Sequence, residues 1–256
     1  MMEETGREHL RDVDPTAMWV AYGFDPGRAP RNGDKRAAEG YAYVFPKKDH
    51  VNVGIGYVLS HFREAVGGAP YDLQRGIVDY LRRRELVEGD SVRENFTPYA
   101  IPVGGPLRRP GRGPVLLAGD AGGFVNGVTA EGIYYAMVTG ELAARTIIET
   151  GRTAVASLAA RYRRACDHEI GAELRDAVLL QRYLFADRRR IAHVISGART
   201  DPATTRKVLD FAVGRLTYRQ LRRGLLMRSP LLAGQLLWER LRTMLASARS
   251  FNAVRV

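Results

Sequence analysis

Between Val115 and Met137 the chain reads VLLAGDAGGFVNGVTAEGIYYAM. An apolar strand from Val115 to Ala118 stops at Gly119-Asp120, a loop containing Gly122, Gly123 and Gly127 follows, and helical sequence begins near Thr129. Open α/β sheets bind their ligands at the carboxyl ends of strands, where Asp120 would stand. A carboxylate there accepts hydrogen bonds from ligand hydroxyls. Gly119 permits a tight turn, and the other glycines omit side chains that would block a flat or phosphorylated ligand. The following helix points unpaired N–H groups and the positive end of its dipole at the loop, which suits a carbonyl or a developing anion. The plainer reading is a β-to-α turn with Asp120 as helix cap. Gly-Asp-x-x-Gly alone does not separate the two.

A second stretch, residues 40–57, reads GYAYVFPKKDHVNVGIGY and has hairpin periodicity. Tyr41, Tyr43 and Phe45 alternate on one face, Pro46-Lys47-Lys48-Asp49 turns the chain, and Val51, Val53, Ile55 and Tyr57 alternate on the return. Asn52, Gly54 and Gly56 occupy the return strand's other face, which lets something approach closely. The aromatics are either sheet core or an apolar binding wall. Tyr41, Tyr43 and His50 are candidates for giving up a proton, although a lone histidine at a turn is usually solvated. Cys166-Asp167-His168-Glu169 holds metal-ligating residue types, but four consecutive helical residues point around the whole circumference and cannot converge.

These candidates need elements to hold them. Ala17–Tyr22 reads as a strand and is followed by a polar Gly/Pro-punctuated loop. Leu73, Ile77, Tyr80 and Leu81 have helical spacing behind a Pro70/Asp72 start signal. A strand is expected over Arg93–Ile101, interrupted by Pro98, then the strand Val115–Ala118 and a helix from about Thr129 to Thr150. Within that helix Ala136, Gly140, Ala143 and Ala144 are small, so it can pack close to a sheet or another helix. Past Gly151 the sequence is helical, with Leu158, Tyr162, Leu174, Val178, Leu179 and Leu184 in series. The expected divisions are 1–112, 113–150 and 151–256.

With 256 residues, 45% of them hydrophobic and 26% charged, the composition is that of a globular chain. The net charge of +11 suits a solvated surface or attraction to anionic partners. No basic run with interleaved aromatics and no nucleic-acid motif occurs, so nucleic acid is not an expected partner. The single cysteine forbids an intrachain disulfide and makes a reducing, cytoplasmic setting the default. The charged amino-terminal residues do not form a signal peptide. No run approaches the ~20 apolar residues of a spanning helix. Leu225–Leu245, rich in Leu, Met, Trp and Arg, is a candidate for a membrane surface or a packed helical cap.

Two stretches in register carry a family resemblance. GYAYVFPKKDHVNVGIG resembles the Gly-Tyr-x-Trp-x-Phe-Pro-Lys segment of the geranylgeranyl reductase family of flavoproteins. PVGGP followed by LLAGDAGGFVNGVTAEGIYYAM resembles that family's Pro-x-Gly-Gly-Pro and Gly-Asp-Ala-Ala-Gly…Thr-Gly-Glu-Gly-Ile segments. The resemblance covers about Trp19 to Thr150. It implies the para-hydroxybenzoate hydroxylase type of fold, here α+β: an antiparallel substrate-binding sheet, the last strand and helix of an FAD-binding domain, and a mostly helical carboxyl-terminal region. It also implies FAD-dependent reduction of carbon–carbon double bonds in an isoprenoid chain, with NAD(P)H or another donor as reductant. Related monooxygenases and halogenases, or a non-catalytic fragment or interaction subunit, are the alternatives.

By the same resemblance Gly119 and Asp120 would meet the ribityl and phosphate part of FAD. Backbone N–H groups of Ala130, Glu131, Gly132 and Ile133 would meet the pyrimidine edge of the ring. Tyr41, Tyr43, Phe45 and Pro46 would line the substrate cavity. The chain departs from the pattern at Tyr43 (often Trp), at Gly122 (Ala), at Gly127-Val128 (Pro-Leu) and at Ala130 (the first Gly of Thr-Gly-Glu-Gly). An alanine at a position of positive φ would be strained. The G-x-G-x-x-G fingerprint of the family's amino-terminal half is nowhere in the sequence. A truncated product, or a partner chain supplying that half, would account for it.

Overall fold

In a computed structural model the described residues are 2–6, 11–12, 16–22, 40–58, 70–151, 154–185, 190, 194, 196–197, 200–212, 215–221 and 223. The polar loop after Tyr22 falls mostly outside them, and the candidate surface segment Leu225–Leu245 wholly so. Two compact units divide the chain: Met1–Ala100 with Leu184–Thr200, and Ile101–Tyr183 with Asp201–Val256.

The first unit is built on alternation. Its strands are β1 (Met2–Gly6), β2 (Arg11–Asp12), β3 (Trp19–Tyr22), β4 (Gly40–Pro46) and β5 (Val51–Tyr57). Helix α1 (Pro70–Arg83), β6 (Val87–Glu88) and β7 (Phe96–Pro98) follow. A five-stranded antiparallel sheet has the order β3-β4-β5-β1-β7, and β2 pairs with β6 apart from it. The hairpin stands where its pattern puts it, closed by the Lys47 N–H donating to the His50 carbonyl at 2.8 Å. Ala42, Val44, Val51 and Val53 form a buried core with Ile77, Val78, Leu81 and Val87. Period 2 on the strands thus meets period 3.6 on α1 over one face. Asp72 in the first turn of α1 and Arg82-Arg83 in the last complement its dipole.

Two expectations shorten here. The strand expected over Ala17–Tyr22 is β3 and begins at Trp19. Residues Arg93–Asn95 form a single 3-10 turn, and only Phe96–Pro98 pair with β1. Pro98 lacks the N–H needed to continue a ladder, which confines it to the outer strand and ends pairing there.

The second unit holds β8 (Gly111–Arg112), β9 (Val115–Leu116), α2 (Ile133–Thr150), α3 (Val155–Cys166), α4 (Ala172–Leu184) and α5 (Pro202–Ala212). A π-helical turn, Asp167–Gly171, joins α3 to α4. Phe124, Tyr135, Tyr162, Cys166, Ile170 and Leu174 make its core. The apolar strand expected over Val115–Ala118 is only two residues long. It pairs antiparallel with β8, and Val115 is exposed. Among the described residues there is no open parallel sheet for it to terminate.

Candidate functional site

The loop after β9 is held by its own backbone. Gly119–Gly122 form a 3-10 turn that ends on Gly123 in the left-handed region. The Gly119 N–H donates to Thr139 Oγ1 of α2 at 2.9 Å, and Gly119 has a φ of 53°. A Cβ there would also lie 2.9 Å from the Ala136 Cβ. Gly119 therefore seats the loop against the helix.

The other glycines serve packing, not ligand clearance. A Cβ on Gly122 would strike the Phe124 ring at 2.4 Å, and one on Gly123 the Gly105 carbonyl oxygen at 2.5 Å. A Cβ on Gly127 would press on the Val178 backbone at 3.1 Å. The expectation that they make room for a ligand is corrected: the protein's own atoms fill that space, and residues 122–128 are buried. PVGGP is drawn onto the same loop by the Leu107 N–H donating to the Gly122 carbonyl at 2.9 Å.

The helix begins later than its sequence suggests. Ala130 has a φ of 58°, which breaks helical propagation, and α2 starts at Ile133. Asn126, overlooked in the sequence, explains the turn between. Its buried side-chain Oδ1 accepts from the N–H groups of Val128 (2.9 Å) and Thr129 (3.2 Å) and from the Tyr218 hydroxyl (2.9 Å). Its backbone closes the loop through Asn126 N–H to Glu131 O (2.9 Å) and Ala130 N–H to Asn126 O (3.0 Å). Asparagine satisfying nearby backbone N–H groups is the signal that could have found it. Its Nδ2 donates to the Tyr135 hydroxyl at 3.4 Å, and Tyr135 donates to Glu173 at 2.8 Å. Burial pushes the Tyr135 hydroxyl well above the usual tyrosine range, with the Glu173 carboxylate adding to it.

The Ala130 N–H is therefore already occupied, and the Glu131 N–H donates to Thr129 Oγ1 at 3.3 Å. Gly132, the helix N-cap, has no side chain to cap with, and among the described residues nothing accepts the N–H groups of Gly132 and Ile133. A Cβ on Gly132 would lie 3.0 Å from Asp120 Oδ1, so this carboxylate stands beside an uncapped helix start. Asp120, Ala121, Glu131 and Ile133 are exposed. The result is a ledge: one acceptor carboxylate, donor N–H groups and the positive end of α2, open on one side.

In the first unit Tyr41, Tyr43 and Phe45 lie on the face opposite the α1 core and are half-buried, as is Pro46. Tyr43 stacks on Phe45 with centroids 4.6 Å apart, and Tyr41 lies 6.1 Å from Tyr43. Tyr43 is directly opposite Gly54, and a Cβ there would sit 2.0 Å from the Tyr43 ring. What approaches Gly54 closely is the neighbouring strand's own aromatic. His50 is at the turn with its Nδ1 2.6 Å from Asp49 Oδ1. Cys166 is buried, while Asp167, His168 and Glu169 are exposed and Asp167 pairs with Arg175 at 2.8 Å.

No family model matches the chain. Curated relatives do. A digeranylgeranylglycerophospholipid reductase of Methanothermobacter thermautotrophicus is 32% identical over 178 residues, covering 68% of this chain and 40% of the relative. A geranylgeranyl diphosphate reductase of Synechocystis is 36% identical over 118 residues, covering 46% of this chain and 27% of the relative. The chain thus spans 40% or less of the length of these two relatives. The crystal structure of a geranylgeranyl bacteriochlorophyll reductase-like protein from Thermoplasma acidophilum aligns with a TM-score of 0.53 at 18% identity. It covers 72% of this chain and 42% of that one, and at this identity the likeness is one of fold. With the hairpin and the Gly-Asp loop both in place, the chain is similar to one part of these longer geranylgeranyl reductases.

Proposed function

We propose that this chain forms the ring-side and substrate-sheet portion of an FAD-dependent enzyme that reduces carbon–carbon double bonds of an isoprenoid chain. The observation that carries the reading is the exposed Asp120 carboxylate beside the uncapped start of α2, in a chain whose relatives are named as such reductases. The residues fit a flavin. Asp120 is an acceptor for ribityl hydroxyls, and the Gly132 and Ile133 N–H groups are donors for a ring carbonyl, their dipole favouring negative charge on the ring. Bound there, FAD would supply the hydride chemistry. Tyr41, Tyr43, Phe45 and Pro46 offer an apolar wall on which a prenyl chain can lie away from water.

The grip on the pyrophosphate comes from polypeptide outside these 256 residues, and NAD(P)H or another donor reduces the flavin. The net charge of +11 favours an anionic membrane surface, where a prenyl lipid resides. Sedimentation with vesicles that shows no dependence on anionic lipid would remove that part of the reading.

The main test joins the chain with a G-x-G-x-x-G-bearing half of a relative, reduces the flavin anaerobically with dithionite and supplies a geranylgeranyl lipid. The expected product gains one H2 per double bond by mass spectrometry. In a parallel aerobic run with NAD(P)H, a hydroxylated or halogenated product that requires oxygen would instead make it a monooxygenase or halogenase.

A further inference from the structure

Asn126 is the joint of the Gly-Asp loop, and one of its bonds comes from far along the chain. It is buried, and the Val128 N–H, the Thr129 N–H and the Tyr218 hydroxyl converge on one atom of its amide, at 2.9, 3.2 and 2.9 Å. Backbone N–H groups only donate, so that atom is the oxygen. The amide Nδ2 is left for the Tyr135 oxygen, and Tyr135 in turn donates to Glu173. Tyr218 is held in place for its part. It opens a helical turn in which the Thr217 N–H donates to Gln220 Oε1 at 2.9 Å and the Gln220 N–H to Thr217 Oγ1 at 3.3 Å, a capping box. The Arg215 and Leu216 N–H groups both donate to the Asp210 carbonyl, at 2.7 and 3.0 Å, which folds this turn back on α5. There the buried Tyr218 ring meets Phe211 edge-on, with centroids 4.8 Å apart. Apolar packing alone would be met by phenylalanine; the hydroxyl serves Asn126.

We propose that Tyr218 is a positioning residue for the flavin: through Asn126 it fixes the turn 126–131, and with it the direction in which the Gly132 and Ile133 N–H groups meet the ring. The role of those N–H groups rests on the functional reading above. The link from side chain to helix start is direct. Asn126 N–H to Glu131 O and Ala130 N–H to Asn126 O, at 2.9 and 3.0 Å, carry the position of Asn126 into the backbone immediately before α2. Donors fixed in this way hold a ring that gains negative charge on reduction more strongly than the neutral oxidised ring. Charge-assisted hydrogen bonds are the stronger ones, and preset donors need no reorganisation. The carboxyl-terminal helical region thus acts on the flavin through a loop 92 residues away in sequence.

The test uses Tyr218→Phe, which keeps the ring and its packing on Phe211 and removes one donor. In the 256-residue chain alone, amide exchange over 126–132 should quicken by about fivefold or more while α3 and α4 keep their wild-type protection. In the chain joined to a G-x-G-x-x-G-bearing half of a relative, the dissociation constant of reduced FAD should rise about three- to tenfold relative to that of oxidised FAD, which lowers the potential of a two-electron couple by about 15–30 mV. Turnover should fall with the KM for the prenyl lipid unchanged. Phe211→Leu, which loosens the ring but leaves the hydroxyl, should lower the thermal midpoint without moving the ratio of the two constants. An equal change of that ratio in Phe211→Leu would reduce Tyr218 to packing and overturn the proposal. Unchanged exchange over 126–132, or an unchanged ratio, in Tyr218→Phe would overturn it as well. A joined protein whose flavin affinity depends on Tyr218 in this way but that reduces no alkene defeats the functional reading and leaves the positioning role standing. Alkene reduction at the wild-type rate and potential in Tyr218→Phe does the reverse.

Discussion

Single residues set the geometry of the Gly-Asp loop. Ala130 occupies a left-handed conformation with a φ of 58°, where an L side chain costs about 1–2 kcal/mol and glycine pays only part of that back in unfolded-state entropy. Ala130→Gly should therefore raise stability by about 0.5–1 kcal/mol, seen as an increase in the thermal midpoint. An unchanged or lowered midpoint would show that the surrounding turn has absorbed the strain. The departure from Thr-Gly-Glu-Gly is readable in the sequence, but its cost is not, because φ belongs to the folded backbone. Asn126 was opaque for the opposite reason. Its residue type is common in loops, and its weight comes from contacts with residues 128, 129 and 218, which no local pattern records.

At the scale of elements, β4 and β5 are bound by a fitted pair, the Tyr43 ring over Gly54. Gly54→Ala would put a Cβ 2.0 Å from that ring, which must swing away and lose its stacking on Phe45. The expected cost is about 1–3 kcal/mol, as for other overpacked sites, measured as a lower urea midpoint. The same change in a Tyr43→Ala background should cost much less, and equal costs in both would break the argument. The helices of the second unit carry a pH dependence. Burial pushes the Cys166 thiol up to about 11. Below about pH 7.5 it is largely neutral whether folded or not. Between pH 9 and 11 the unfolded chain releases that proton first, so stability falls with rising pH. Buried Tyr135 and Tyr162, both raised, act in the same direction at higher pH. Unfolding free energies from urea titrations at pH 8, 9.5 and 10.5 should decline by about 1–2 kcal/mol in total. Cys166→Ala should lose the early part of that decline, and an unchanged slope in the variant would exclude the thiol as its source.

For the whole molecule, the ledge at Asp120 and Gly132 is open on one side and offers few groups to hold a cofactor. Two donor N–H groups and one carboxylate supply a few kcal/mol at best, against the cost of fixing a large ligand. The chain by itself should bind FAD weakly or not at all, read by flavin fluorescence after gel filtration. A purified preparation with stoichiometric yellow flavin would contradict this and make the 256 residues sufficient.

The sequence by itself determined the hairpin, the α1 stripe, the helical series past residue 151 and the family resemblance, since each is written in local periodicity or in ordered motifs that survive without a neighbour. Only the tertiary structure decided what the loop glycines do, because whether a missing Cβ leaves room for a ligand or for Phe124, Gly105 and Val178 depends on chain brought in from elsewhere. It also decided that α2 starts at Ile133 and that β9 is a two-residue ribbon strand: helix propagation ends at a backbone angle, and a strand extends only as far as it has a partner. Helix α2 is apolar on two sides, with Tyr135, Val138 and Leu142 on the core and Ile133, Met137 and Ile148 outward. Both stripes are in the sequence, but which of them points outward follows from which side of the helix the Thr139 and Tyr162 contacts hold against the core.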